Sequence, residues 1–164
     1  MLKSLMRIIV TLFLFAFIAP VYGEESAMQS KSTVILIRFE QFDHGRDKLP
    51  VFSVQVDGDG VVTYEGTKFV TAVGKRSKKI DPQEVRRLAE KMRDGGFFTW
   101  ADGNGPDWPM LPGAIMRSLS LTVDKQTRTL EFGSSQQGDE RFPVQTIIQY
   151  TTQLQAILKI DDWV

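Results

Sequence analysis

Residues 51–66, VFSVQVDGDGVVTYEG, decide the fold. Phe52, Val54 and Val56 alternate with Ser53 and Gln55, the period of a strand with one face buried and one face wet. Asp-Gly occurs twice in residues 57–60, and both residue types tolerate the positive φ that a tight hairpin turn demands. Residues 61–64 return as a second strand, and Glu65-Gly66 predicts a further turn. Residues 68–73 then predict a third strand of this meander, with Phe69, Thr71 and Val73 on one face. Antiparallel hairpins are therefore the organising unit.

The pattern extends in both directions. Upstream, residues 33–39 (TVILIRF) are rich in β-branched residues and long enough for a strand, followed by a charged loop over residues 40–50. Downstream, Asp81 is an N-cap, Pro82 takes the first helical position and Glu84 completes a capping box. Ile80 and Val85 are placed as a hydrophobic staple. Val85, Leu88, Ala89 and Met92 share one helical face, Gly95 ends the helix, and Phe97-Phe98 turn back toward the core. Leu119, Leu121 and Val123 alternate with Ser120 and Thr122 as a strand, which turns at residues 124–126 and returns over residues 127–132. Pro143 opens a final helix in which Val144, Ile147, Ile148, Leu154 and Leu158 share a face. The order β-β-β-β-α-β-β-α predicts an α+β domain, a mostly antiparallel sheet of about six strands with two helices packed on one face.

Ahead of this domain, residues 1–23 (MLKSLMRIIVTLFLFAFIAPVYG) read as a signal peptide. Lys3 and Arg7 make the basic start, residues 8–19 the apolar run, and Val21-Tyr22-Gly23 the cleavage site. The run is shorter than the ~20 residues a membrane-spanning helix needs. The expected organisation is a signal peptide over residues 1–23, a flexible leader over 24–32 and one domain over 33–164, exported to the periplasm or beyond after cleavage following Gly23. The predicted mature chain carries no membrane span.

Composition narrows the chemistry. The chain has 20 Lys+Arg, 20 Asp+Glu, one histidine and no cysteine among 164 residues. A near-neutral balance argues against a nucleic-acid binder, which is usually clearly basic. Without cysteine there is no disulfide, lipid-modified cysteine or thiol chemistry, and the core must hold by apolar burial alone. A single histidine excludes multi-histidine metal sites, and no cofactor is expected.

In residues 49–98 the order of signals is Pro50-Val51-Phe52, Gly58-Asp59-Gly60, Tyr64-Glu65-Gly66, Gly74-Lys75-Arg76, the capped helix and Phe97-Phe98. Leu111-Pro112, the strand with Leu119 and Leu121, and Trp163 after the last helix continue it. This order resembles an exported bacterial family known as domain of unknown function 6438. The resemblance implies export and fold, and it supplies no activity. The family's cysteine pair falls at about Gly45 and Leu49 here, so any thiol chemistry of relatives is missing.

Candidate functional residues are few. His44, within Asp43-His44-Gly45-Arg46-Asp47, offers a carboxylate-polarised base, although a solvated histidine in a charged loop explains the motif. Asp57 and Asp59 are turn residues before they are calcium ligands. Asp102, Asn104 and Asp107 lack the distal acid of a calcium loop, since Gly113 stands at its place. The basic run of residues 74–79 reads as a solvated loop, with lipid headgroups, polyanions or acidic partners as its functional alternative.

The best site lies in the loop over residues 99–113, dense in glycine and proline. Trp100 and Trp108 flank Asp102 and Asp107, and rings beside carboxylates suit a glycan or peptide. Trp100 follows the core-directed Phe97-Phe98, so Trp108 is the expected outward ring. The functional expectation is a non-enzymatic binding or envelope-associated protein whose partner is another envelope protein, a glycan or a peptide. Its alternative is an envelope hydrolase using Asp102 and Asp107 with His44.

Overall fold

Alternating side chains give most strands an apolar and a polar side, and one antiparallel sheet collects the apolar sides on one face. The computed structural model describes residues 33–42, 48–103, 115–134 and 136–164. The strands are β1 (Ile35–Gln41), β2 (Val51–Asp57), β3 (Val61–Lys68), β4 (Gly74–Lys79), β5 (Met116–Val123) and β6 (Gln126–Gly133). They form one six-stranded sheet in the order β4-β3-β2-β1-β5-β6, with every neighbouring pair antiparallel. Helices α1 (Pro82–Asp94) and α2 (Val144–Leu158) complete the predicted order.

The two helices pack on the face that carries Ile37, Phe39, Val54, Val56, Tyr64, Leu121 and Phe132, all of them fully buried. Val85, Leu88, Ala89 and Met92 of α1 and Ile147, Leu154 and Leu158 of α2 close the core from above. Each such side chain contributes about 1.5–3 kcal/mol by leaving water. The opposite face is polar. Thr129 donates to Ser120 at 3.0 Å, and the Thr122 and Thr127 hydroxyls meet at 2.9 Å.

The β2–β3 turn is built as its sequence suggests. The Asp57 carboxylate accepts from the Asp59 and Val61 amides at 3.0 and 2.9 Å, and Gly60 takes φ +79°. At the start of α1, Asp81 Oδ1 accepts from Gln83 N at 2.9 Å, a cap whose loss costs about 0.5–2 kcal/mol.

Two strand assignments change. Residues 61–64 are not a short strand ended by a turn at Glu65-Gly66; β3 runs on to Lys68, with Ser53 and Phe52 opposite Glu65 and Gly66. Residues 68–73 are not the next strand. Residues 69–73 form the connection, and the basic run taken for a loop is itself β4. The alternation Phe69-Val70-Thr71-Ala72-Val73 mimics a strand, but Phe69 adopts φ +54°, which breaks extended geometry. Its inward residues Val70 and Ala72 pack on the core beside Trp163. The lysines of β4 suit an edge strand, because charge along an open edge discourages pairing with another sheet.

The chain closes on this connection. After α2, Lys159 at φ +45° leads into a 3-10 turn, Ile160–Asp162. Trp163 then lies against Tyr64, ring centroids 5.0 Å apart, with Lys78 Nζ 4.2 Å from its centroid. Its carbonyl accepts from Tyr64 Oη at 3.0 Å and Ala72 N at 2.9 Å. Burial raises the Tyr64 pKa, so its hydroxyl stays a donor here. No helix among the described residues is long and apolar enough to cross a membrane.

Candidate functional site

The C-terminal end of α1 sets the geometry of the site. Gly95 closes the helix, its N–H donating to Lys91 O at 3.0 Å, and Gly96 at φ +92° turns the chain back across the helix end. Gly95 also admits Tyr150 of α2, whose hydroxyl donates to Lys91 O at 3.1 Å and would collide with a Cβ there. Thr99 N and Trp100 N both donate to Gly96 O, at 2.8 and 3.2 Å. This tight turn lays the half-buried Trp100 ring nearly parallel to Tyr150, at 12° and 6.2 Å, and 5.8 Å from Phe97. Trp100 is thus partly buried against the core, beside Phe97 and Tyr150.

Beyond Trp100 the chain is tied to two other elements. Ala101 N donates to Arg141 O at 2.7 Å. Arg128 of β6 reaches across, its Nη2 2.6 Å from Trp100 O and 2.9 Å from Asp102 Oδ1. Asp102 is therefore a strut: its exposed carboxylate faces a guanidinium that also holds the backbone beside it. Arg128 Nε is buried with no hydrogen-bond partner, a cost of about 1–3 kcal/mol. Gln136 buttresses the same region, donating to Gly103 O at 2.6 Å and accepting from Gly133 N at 2.9 Å.

These ties leave an open cleft of about 560 Å³ at the end of α1, walled by Trp100 and bordered by Asp94, Gly96, Thr99, Glu140 and Arg141. Arg93 Nε holds the Asp94 carboxylate at 2.9 Å. Asp139 fixes the opposite wall: its carboxylate accepts from the Arg141 guanidinium at 2.9 Å and from the Arg141 and Phe142 amides at 2.8 and 3.2 Å. Those bonds, the Arg141 side chain first, hold the Asp139 carboxyl below the usual carboxylate range. The cleft therefore offers an aromatic surface, a hydroxyl and charges of both signs.

Of the sequence-predicted residues, Trp100 and Asp102 stand at this cleft and on its supporting strut. Asp107, Trp108, Asn104 and His44 lie outside the described residues. Sequence reasoning did not single out Thr99 within its chosen loop, and it missed Glu140, Arg141 and Arg128, which come from a polar loop and a strand that carry no motif. The spacing Asp139-x-Arg141 was the one available signal, a short-range ion pair that fixes a turn. Among the described residues no three His, Asp or Glu side chains gather closely enough to hold a metal ion. A second groove, of about 370 Å³, lies between α1 and α2 along Leu88, Lys91, Gln153 and Ile157.

Fold and site together define a class, a one-layer antiparallel sheet backed by two helices with an aromatic-walled cleft at a helix end. The chain belongs to the family described as domain of unknown function DUF6438, whose model matches residues 46–152. That segment runs from the charged loop before β2 through most of α2 and includes the whole cleft. The chain has no cysteine, so the pair expected of that family is absent here. No match to a curated protein is found.

Proposed function

We propose that the chain is exported, loses residues 1–23, and acts outside the cytoplasm as a binding domain that carries out no chemistry. Its ligand site in this reading is the Trp100 cleft, and the ligand is a glycan or peptide of the cell envelope. The observation that carries the reading is the open cleft at the end of α1 that Trp100 lines together with Thr99, Glu140 and Arg141. An indole face stacks on a sugar ring or an aliphatic peptide side chain, while such groups take its hydroxyls, amines and carboxylates. The basic start, short apolar run and Val21-Tyr22-Gly23 site support export. Asp102 pairs with Arg128, which also holds the Trp100 carbonyl, so it braces the backbone beside the cleft.

Two measurements test this. N-terminal sequencing of protein recovered outside the cytoplasm is expected to begin at Glu24; retention of residues 1–23 contradicts export. Soluble peptidoglycan fragments carrying both glycan and peptide are expected to change tryptophan emission saturably and emerge unaltered. The change is expected to vanish in Trp100→Phe, which keeps an aromatic packing partner for Phe97 and Tyr150. Cleaved fragments would instead establish the hydrolase.

A further inference from the structure

The β3–β4 connection ends in two outward apolar side chains, Phe69 at 52% and Val73 at 61% exposure. Burying them is not what holds the connection in place. Val70 and Ala72 face inward, Ala72 N donates to Trp163 O at 2.9 Å, and Thr71 Oγ1 donates to Val164 O at 3.0 Å. Phe69 also holds a left-handed backbone, φ +54°, which a bulky side chain adopts only at a cost. The fold thus fixes a rigid tip and presents a strained, apolar ring to water.

The strand that leaves this tip is the basic edge strand. Lys75, Arg76 and Lys79 of β4 are exposed. Register places Lys75 and Lys79 on the polar side of the sheet, opposite Glu65 and Val61, and Arg76 on the other, opposite Tyr64. Cations therefore border both sides of one edge. Lys78 is already committed to the Trp163 ring and to Lys159 O. Acids near it include Glu65, across from Lys75, Asp81, two residues beyond Lys79, and Asp161 and Asp162 beside Trp163.

We propose that this hairpin docks the domain edge-on to an anionic phospholipid surface. Phe69 and Val73 enter the headgroup–acyl boundary, and Lys75, Arg76 and Lys79 meet lipid phosphates. Apolar side chains at the end of a hairpin need no matching pocket in a fluid surface, whereas a folded acidic partner must supply one. That difference, with the cations on both sides of the strand, favours a membrane over an acidic protein. The site lies apart from the Trp100 cleft and is independent of what that cleft binds.

The test uses a chain beginning at Glu24, which removes the apolar N-terminal run and keeps the whole core from Ile35 to Ile160. Co-sedimentation is measured with phosphatidylglycerol-rich vesicles and with pure phosphatidylcholine vesicles. Binding is expected to the first and not the second, and to weaken at high salt. Phe69→Gly with Val73→Ser is expected to lower the partition coefficient about tenfold or more. Lys75→Gln and Lys79→Gln are each expected to lower it about fivefold. Glycine suits φ +54°, so the Phe69 change should leave the melting temperature unchanged or raised. Phe69→Trp supplies a second readout, a blue shift of emission on vesicle addition. No sedimentation with phosphatidylglycerol vesicles at low salt, undiminished binding in the substituted chains, or an unshifted Phe69→Trp emission overturns the proposal.

Discussion

Gly60 sits at φ +79°, where the space a Cβ needs is taken by the Ile80 carbonyl oxygen. Its own carbonyl accepts from Ile80 N at 2.9 Å, so the β2–β3 turn is locked to the chain that enters α1. Gly60→Val meets both a steric and a backbone penalty and is expected to cost about 2 kcal/mol or more, read as a lower denaturant midpoint with unchanged slope. Asp139 works through charge. Its carboxyl is held below the ordinary range in the folded chain, so its stabilisation is complete above the unfolded-state value and is lost as pH falls through the folded one. Stability is expected to decline as the solution is acidified through the carboxylate range, and Asp139→Asn should flatten its share of that decline. An identical acid limb in the variant and the parent contradicts this assignment.

At the scale of elements, the C-terminal clasp is a feature whose removal is costly. Trp163 covers Tyr64, carries Lys78 over its ring and gives its carbonyl to two donors. Trp163→Ala is expected to cost about 2–4 kcal/mol, somewhat below a fully buried tryptophan, and to speed hydrogen exchange at Ala72. The clasp also shows why legibility varied along the chain. Hairpin β2–β3 and helix α1 were readable because their signals are local: alternation, a turn that needs glycine, a cap, and a four-residue apolar stripe. Residues 68–73 misled because alternation records which side chains are buried, not what buries them. Val70 and Ala72 are covered by a segment about ninety residues away in sequence, which no local pattern encodes. Strand β4 carries almost no apolar residue, so its place as an edge is a property of β3's free side rather than of its own sequence.

At the scale of the molecule, the sheet is a platform with both helices on one face, and the end of α1 is where the turn over residues 95–103, strand β6 and the segment leading into α2 converge. Trp100 was legible as a core-directed aromatic. The cleft around it was not, because Arg128, Glu140 and Arg141 become neighbours only when β6 and α2 return beside α1. This convergence is the ligand site proposed for the domain. Hydrogen exchange of the chain from Glu24, with and without soluble peptidoglycan fragments, tests it most directly. Slowed exchange is expected to be confined to residues 94–101 and 139–142, and to be lost in Trp100→Phe. Unchanged exchange in those two segments, whether or not protection arises elsewhere on the domain, would contradict it.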